Sequence, residues 1–228
     1  MNRLKWLGIL IAATLVSCQS ARSTPASSVT RTPGPPAQMI EPQGFIQRVH
    51  DPVIAKEGGR YYVFYTGSRI PIICSPDKVN WEFCGRVFEN NPDWTREVNP
   101  DLIDIWAPDI SFYNQQWHLY YAVSTFGKQD SAIGLATNKT LDPKSPDYGW
   151  VDHGMVLRSR PGDAWNAIDP NLVLDEKGEP WLVWGSYWQG IWMRKVDSAT
   201  GMLDPKDTQT YHLADRSAGP DHNSSIEA

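Results

Sequence analysis

The segment IDPNLVLDEKGEPWLVW, residues 168–184, shows the pattern that decides the fold. It opens on an Asp-Pro pair, continues into a short aliphatic stretch, turns at a polar cluster with glycine, and returns in an aromatic stretch. The same order occurs twice earlier in the chain. HDPV at 50–53 leads through a turn to YYVFY at 61–65, and APDI at 107–110 leads through a turn to WHLYY at 117–121. The sequence therefore predicts repeats of short paired strands.

An acidic residue marks the start of each repeat, and a fourth start, SIEA, follows at 225–228. These acidic residues are 58, 60 and 58 positions apart: Asp51, Asp109, Asp169 and Glu227. A period of this length, with several short strands in each repeat, is typical of a β-propeller blade. Equivalent positions in successive blades face a common axis, so we expect the four carboxylates to converge on one funnel. The alternative is a carboxylate that acts as a structural cap in each blade, and Asp109 is the candidate for it.

The composition is that of a folded all-β domain. Hydrophobic residues make up 41% of the chain and 11 tryptophans are present, whereas a disordered chain is poorer in aromatic residues. The strand-like runs are rich in aromatic and β-branched residues, and no amphipathic helix stands out. The net charge is −5 and no basic stripe is present, which argues against nucleic acid as a partner. Abundant Trp and Tyr suit a neutral ligand with flat apolar faces, such as a sugar.

Residues 1–17 predict an export signal. Arg3 and Lys5 precede an apolar run at 7–16, which is too short for a spanning helix because such a helix needs about 20 residues. The run ends at Leu-Val-Ser-Cys, which resembles a bacterial lipoprotein signal. We therefore expect Cys18 to become the lipid-modified first residue of the mature protein. The alternative is a plain secretory signal in which this cysteine is incidental.

The predicted signal is followed by a tether and then by the folded domain. Residues 18–43 are rich in Ser, Thr and Pro and show no apolar periodicity, so we expect them to hold residues 44–228 off a membrane. Gln19 stands where an Asp is associated with retention at the inner membrane in some bacteria. The protein is therefore predicted to be an exported, membrane-anchored lipoprotein, located at the outer membrane or at the cell surface or periplasm.

Two cysteines remain in the domain after lipidation, Cys74 and Cys84. They flank a predicted turn near Lys78, so that residues at equal distance from the turn can face each other. An exported compartment permits a disulfide between them. Two free buried thiols are the alternative.

From residue 48 onward the sequence resembles family 43 of the glycoside hydrolases, in particular its endo-1,5-α-L-arabinanases. The segments that carry the resemblance are HDP (50–52), WAPDI (106–110), STFGKQDSAIGLATN (124–138), NAIDPNLVLD (166–175), WGSYWQGI (184–191) and SSIEA (224–228). In this order and at the spacing of blades, the set is specific to the family. The resemblance implies a five-bladed β-propeller, which agrees with the period of the repeat.

The resemblance implies three catalytic carboxylates and inversion of the anomeric centre. By their places in the motifs, Asp51 is the general base that activates water and Glu227 is the general acid that protonates the leaving oxygen. Asp169 would hold the pKa and the orientation of the acid. Such a division is expected because one carboxyl must stay protonated while another is ionised. An inverting enzyme also leaves room for water, with about 6.5–9.5 Å between acid and base.

The resemblance also implies sugar-binding residues around these carboxylates. Trp106, Phe126 and Trp188 are the expected platforms for furanose rings, with ordinary blade packing as the alternative for each. The other residues of the expected substrate-binding set are His50, Gly127, Asn166, Ala167, Ile168, Ser186 and Tyr187.

No cofactor is expected for the chemistry, and no metal site is predicted from the sequence. The chain has no Cys/His cluster or Glu/His pair at metal-ligand spacing. The resemblance implies a structural calcium ion bound through a histidine of a late blade, which is missing from this sequence. The expected partners are an arabinan or arabino-oligosaccharide substrate and, through the lipid anchor, a membrane.

Five blades at this period need roughly 300 residues, and far fewer follow Arg48. We therefore expect three blades and the start of a fourth, and little or no activity from these 228 residues alone. For the parent enzyme, the leading hypothesis is cleavage of internal α-1,5-L-arabinofuranosidic bonds. The alternatives are an arabinofuranosidase or β-xylosidase of the same family, or a non-catalytic glycan-binding propeller.

Overall fold

The computed structural model describes residues 40–215 of the protein. These residues form three β-sheets and two short 3-10 helices, which confirms the predicted all-β class. Neither helix in this range has the length and hydropathy that a bilayer-spanning segment requires. Cys18, Glu227 and the predicted export signal lie outside the described residues.

The first sheet contains five strands and begins before the predicted start of the domain. Its strands are β1 (Gln43–Gly44), β2 (Val53–Glu57), β3 (Arg60–Phe64), β4 (Pro71–Ser75) and β5 (Asn80–Arg86), with a 3-10 helix at Phe45–Arg48. The spatial order is β1-β5-β4-β3-β2, and only β1 pairs in parallel. Gly58 and Gly59 form the turn between β2 and β3. Both have positive φ, 55° and 82°, which matches the twist of a two-residue hairpin.

The second and third sheets are four-stranded antiparallel meanders. The second contains β6 (Trp106–Tyr113), β7 (Gln116–Val123), β8 (Ser131–Asn138) and β9 (Val151–Ser159), after a 3-10 helix at Asp93–Glu97. The third contains β10 (Asn171–Leu174), β11 (Pro180–Trp184), β12 (Ile191–Lys195) and β13 (Thr210–Ala214). Strands adjacent in sequence are adjacent in space, as in a propeller blade. The three sheets are named blades 1, 2 and 3.

The blades pack through two apolar clusters on opposite faces of β7. Leu119 and Tyr121 are buried against blade 1, where Phe64 belongs to the same cluster. Tyr120, which lies between them in the sequence, is buried against blade 3 together with Trp184. The alternation follows from strand geometry, because successive side chains point to opposite faces. Each fully buried side chain of this size contributes about 1.5–3 kcal/mol, so these clusters hold successive blades together.

A partly buried carboxylate adds a polar tie between blades 1 and 2. Glu57, at the end of β2, accepts hydrogen bonds from the indole N–H of Trp117 at 2.9 Å and from the Thr140 hydroxyl at 2.7 Å. It also accepts the backbone N–H of Leu141 at 2.6 Å. Because these donors come from two segments of blade 2, a single side chain fixes the blade contact at this end of the strands.

Cys74 and Cys84 form a disulfide across β4 and β5, with their Cα atoms 5.9 Å apart. Of the two alternatives that the sequence left open, the structure has the disulfide. The register passes from Phe83 opposite Ile73 to Gly85 opposite Ile72, so Cys84 is the extra residue of a β-bulge. The bulge brings its sulfur to the cysteine of the neighbouring strand.

Candidate active site

One unusual backbone turn lies at the start of every blade. Asp51, Ala107 and Asp169 are each followed by proline, and their φ angles are 45°, 37° and 52°. Positive φ is uncommon for residues other than glycine. Such conformations persist where the surrounding structure enforces them, and they cluster at functional sites.

The strand register shows that the three turns are equivalent. Two residues after each turn residue, Val53, Asp109 and Asn171 pair with the second strand of their own blades. Asp109 therefore corresponds to a valine and an asparagine of the other blades. The expectation that it shares a repeat position with the aspartates of blades 1 and 3 is wrong by two residues. At the turn position itself, blade 2 has Ala107.

Asp109 has the structural role that was the alternative interpretation. Its side chain is buried, and its Oδ2 accepts the backbone N–H of Leu172 at 2.8 Å. The side-chain amide of Asn171 lies 3.4 Å from Oδ1. Burial raises the pKa of the Asp109 carboxyl, and the hydrogen bond from Leu172 opposes this change. The carboxylate thus ties the first strand of blade 2 to that of blade 3.

The two remaining turn aspartates line one central cavity of about 300 Å³. The cavity wall consists of three segments, residues 51–53, 107–109 and 169–171. The predicted convergence is therefore confirmed for Asp51, Asp109 and Asp169, which all line this cavity although they are far apart in sequence. Glu227 lies outside the described residues.

Asp51 is held from two sides. The Thr66 hydroxyl donates a hydrogen bond to Asp51 Oδ2 at 2.7 Å, and His50 Nε2 lies 3.4 Å from the same oxygen. The His50 side chain is 79% exposed, so its other ring atoms face solvent. The carboxylate of Asp51 is partly exposed and accessible from the cavity.

Asp169 accepts a hydrogen bond from the hydroxyl of Ser186, which follows β11 in the same blade. Ser186 itself is buried. Both turn aspartates are thus contacted by a hydroxyl side chain that follows the second strand of their own blade. An arrangement of this kind orients a carboxylate without neutralising it.

A groove of about 510 Å³ adjoins the central cavity. Aromatic, apolar and uncharged polar residues dominate its wall: Trp106, Ser124, Thr125, Phe126, Gly127, Lys128, Asn166, Ile168, Tyr187 and Trp188. Two chain segments pass directly from groove to cavity, since residues 106 and 168 line the groove and residues 107 and 169 line the cavity. A flat apolar surface beside carboxylates suits a sugar ring, which has apolar faces and polar edges.

The loop after β11 presents two aromatic side chains to this groove. Tyr187 and Trp188 have positive φ angles of 59° and 43°. Gly185 makes the loop possible, because a Cβ at this position would lie 2.3 Å from the carbonyl oxygen of Gly190. The tight loop therefore depends on the glycine that precedes Ser186.

Gln129 and Ser159 hold the segment that enters blade 3. The Gln129 amide donates to the carbonyl oxygens of Asp163 at 2.5 Å and Trp165 at 3.0 Å. The Ser159 hydroxyl donates to the carbonyl oxygen of Gln129 at 2.6 Å and accepts the backbone N–H of Ala167 at 2.9 Å. The chain leading to the second turn aspartate is therefore clamped from blade 2.

The predicted substrate-binding residues divide into three groups. Seven of them line the groove: Trp106, Phe126, Gly127, Asn166, Ile168, Tyr187 and Trp188. His50 lies beside Asp51 instead. Ala167 and Ser186 are buried and do not line the groove; Ala167 belongs to the apolar cluster between blades 2 and 3.

Sequence reasoning missed several residues of the site. Ser124, Thr125 and Lys128 line the groove. Their position in the same loop as Phe126 was an available signal that was not used. Thr66 gave no signal of its own, because its contact with Asp51 joins segments that only the fold brings together.

The family resemblance implies a structural calcium ion. In residues 40–215 the one cluster of three potential ligand side chains is Cys74, Glu82 and Cys84. Its two sulfur atoms are joined in the disulfide, and Ca²⁺ prefers six to eight oxygen ligands. This cluster does not fit calcium, and the calcium site remains a prediction about later blades.

Residues 45–223 match the sequence model of the glycosyl hydrolases family 43. The chain belongs to this family. Structures of family 43 are five-bladed propellers, and residues 40–215 supply three consecutive blades of that fold.

Relatives in family 43 include both exo- and endo-acting enzymes. The chain is 44% identical over 172 residues to an extracellular exo-α-(1→5)-L-arabinofuranosidase of Cellvibrio japonicus, a match that covers 74% of this chain and 50% of the relative. It is 37% identical over 185 residues to an extracellular endo-α-(1→5)-L-arabinanase of Bacillus subtilis, covering 79% of this chain and 54% of the relative.

A solved structure of family 43 shows the same relationship in three dimensions. The α-L-arabinanase of Cellvibrio cellulosa in complex with arabinohexaose superimposes with a TM-score of 0.71 at 41% identity, covering 78% of this chain and 57% of that one. The chain spans about half the length of the curated relatives that it matches.

Proposed function

We propose that the full-length protein is an arabinanase that hydrolyses α-1,5-linked L-arabinan. The observation that carries this proposal is the shared position of Asp51 and Asp169, which the same backbone turn presents to one cavity beside an aromatic groove. The relatives support the substrate, since one is named an exo-α-(1→5)-L-arabinofuranosidase and another an endo-α-(1→5)-L-arabinanase. The similar α-L-arabinanase structure of Cellvibrio cellulosa was solved in complex with arabinohexaose.

The proposed chemistry is single-step hydrolysis with inversion. Asp51 takes the proton of a water molecule that attacks the anomeric carbon, and Glu227 protonates the departing glycosidic oxygen. Asp169 supports the protonated state of the acid, because a neighbouring negative charge disfavours a second one. The Thr66 and Ser186 hydroxyls orient the two turn carboxylates for these roles. The chemistry needs no cofactor.

For the position of cleavage, we propose internal bonds, as the sequence resemblance implies. Release of single units from a chain end is the second candidate, because the exo-acting relative of Cellvibrio japonicus is 44% identical and the endo-acting relative of Bacillus subtilis is 37% identical. An arabinofuranosidase or β-xylosidase activity, and a purely glycan-binding role, are the outcomes against which the proposal is tested.

The test uses the full-length protein on debranched arabinan, with xylan and an aryl arabinofuranoside as comparison substrates. Endo action gives mixed oligosaccharides and an early fall in viscosity, whereas exo action gives a single product from the start. Asp51→Asn should lower kcat by about 10²- to 10⁴-fold and leave oligosaccharide binding intact. Asp104→Asn, at an exposed residue without a described partner, is the matched control.

Three outcomes would count against the proposed activity or the proposed role of Asp51. A protein that binds arabinan without cleaving it is a glycan-binding propeller. A protein that cleaves xylan or the aryl arabinofuranoside faster than arabinan belongs to another activity of the family. If arabinan is cleaved but Asp51→Asn retains kcat within a factor of two of wild type, Asp51 is not the base.

We propose further that the protein is exported and anchored through a lipid on Cys18. The relatives of Cellvibrio japonicus and Bacillus subtilis are named as extracellular, which supports export. The anchor rests on the sequence pattern at residues 15–18. Full-length protein expressed with labelled palmitate should carry the label, and Cys18→Ser should not. An unlabelled wild-type protein in the culture medium would show a plain secretory signal.

A further inference from the structure

Thr66 occupies a junction between the candidate general base and the neighbouring blade. Its hydroxyl donates to Asp51 Oδ2 at 2.7 Å and accepts the backbone N–H of Ala107 at 2.8 Å. Its own backbone N–H donates to the carbonyl oxygen of His50 at 2.9 Å. The side chain therefore contacts the turn residues of blades 1 and 2 at the same time.

The two hydroxyl contacts fix each other's direction. A threonine hydroxyl has one proton and two acceptor lone pairs. The Ala107 N–H can only donate, so it must use a lone pair, and the single proton is left to point at Asp51. A hydrogen bond to an ionised carboxylate is shorter and stronger than one between neutral groups, and it limits rotation of the carboxylate.

The same junction holds one wall of the sugar groove. Gly67, the next residue, exchanges two backbone hydrogen bonds with Ile105, at 3.0 and 3.1 Å. Together with the Thr66 contact to Ala107, these bonds fix the backbone on both sides of Trp106, which lines the groove. The orientation of the carboxylate and the position of the aromatic platform are thus set by one pair of adjacent residues.

We propose that Thr66 is a positioning residue that orients the Asp51 carboxylate relative to the sugar bound at Trp106. The inference rests on the proposed role of Asp51 as the general base. It predicts that the Thr66 hydroxyl acts mainly on the chemical step, because a general base must lie within hydrogen-bond reach of the attacking water in the right geometry.

The test compares Thr66→Val with Thr66→Ser in the full-length protein. Valine keeps the shape and removes the hydroxyl, so kcat on arabinan should fall by about 10- to 100-fold with a smaller change in KM. Serine restores the hydroxyl, and kcat should return to within about threefold of wild type. A loss in Thr66→Val that Thr66→Ser does not reverse would overturn the proposal, as would an unchanged kcat in Thr66→Val.

Thr140→Val is the matched control for general destabilisation. The Thr140 hydroxyl also donates to a carboxylate of the other blade, Glu57 at 2.7 Å, but it lies at the end of β2 away from Asp51. Thr140→Val should lower the melting temperature and leave kcat unchanged. If both valine variants lowered kcat alike, the effect of Thr66 would be one of blade packing and the proposal would be wrong.

A second measurement does not depend on arabinan cleavage. In crystal structures of the two Thr66 variants, the Asp51 carboxylate should rotate or become disordered in Thr66→Val and keep its place in Thr66→Ser. An unmoved Asp51 in Thr66→Val would overturn the positioning role. Failure of wild-type protein to cleave arabinan would instead refute the proposed function, and the crystal structures would still decide the role of Thr66.

Discussion

Asp109 of blade 2 accepts the backbone N–H of Leu172 of blade 3, with 2.8 Å between nitrogen and Oδ2. The two residues lie on the first strands β6 and β10, which contact each other at the centre. A buried carboxylate is thus used as a joint between blades, next to two others that are available for chemistry.

Asp109→Ala should destabilise the protein by about 1–3 kcal/mol, because it leaves the buried N–H of Leu172 without an acceptor. Equilibrium unfolding in urea measures the change. The exposed Asp104→Ala serves as the control and should stay within about 0.5 kcal/mol of wild type. Equal stability of the two variants would show that the joint contributes nothing.

The free energy of unfolding should fall as the pH is lowered, because the buried His118 has a lowered pKa. Burial lowers the pKa of this histidine to about 4, from an ordinary value of 6.5. The unfolded chain therefore takes up the proton first, so stability declines as the pH falls from 6.5 to about 4, by at most about 3 kcal/mol. In His118→Phe, the free energy of unfolding, measured with urea across this pH range, should depend less on pH than in wild type.

The disulfide between Cys74 and Cys84 should stabilise the fold without affecting turnover. The two cysteines are 10 residues apart, and closing a loop of this length contributes about 2–3 kcal/mol in the chain-entropy model. Replacing both by Ser should lower the free energy of unfolding by that amount. Activity on arabinan should not change, because the bond joins β4 and β5, and β3 separates both strands from β2, the strand that follows Asp51. A large loss of kcat at full folding would contradict this separation.

Gln129→Ala should impair catalysis from outside the groove. Removing the amide frees the carbonyl oxygens of Asp163 and Trp165, and with them the segment that leads to Asp169. We expect kcat/KM on arabinan to fall by about 10- to 100-fold, since small misplacements of a reacting group have effects of this size. Gln115→Ala, in an exposed turn, is the control. Unchanged kinetics in Gln129→Ala would show that the clamp is dispensable.

Phe126→Ala should weaken substrate binding without affecting stability. The side chain lines the groove and is 92% exposed, so it packs little against the protein. Loss of one sugar-stacking contact of about 0.5–1.5 kcal/mol corresponds to a two- to tenfold weaker affinity for arabino-oligosaccharides. Calorimetry measures this affinity. Phe112→Ala, at an exposed phenylalanine that does not line the groove, should leave it unchanged.

The sequence predicted the blades because each one repeats a local pattern of strand, turn and strand. It misplaced Asp109 for a reason inherent to strands. Side chains two residues apart point to the same face, so a spacing of 58 to Asp109 and one of 56 to Ala107 are equally compatible with the repeat. Only the pairing register and the positive φ of Ala107 distinguish the two alignments.

The contacts that hold the site were not predictable in the same way. Thr66 and Gln129 act through hydrogen bonds to segments that approach them only after the blades have packed. Such bonds leave no periodic trace in the sequence, since a threonine or glutamine after a strand is common. The sequence did not decide between a disulfide and two free thiols for a related reason. The bulge at Cys84 brings the two sulfur atoms together, and a bulge is a property of the strand register.

Asp51, Ala107 and Asp169 share one backbone turn, so the conformation of the turn is independent of the side chain that it presents to the cavity. Ala107 adopts the same left-handed backbone as the two aspartates, so the conformation does not depend on a carboxylate. The number of charges around the axis is consequently encoded by one interchangeable residue per blade. Substitutions at these three turn positions can therefore change the reactive groups around the axis without changing the blade fold.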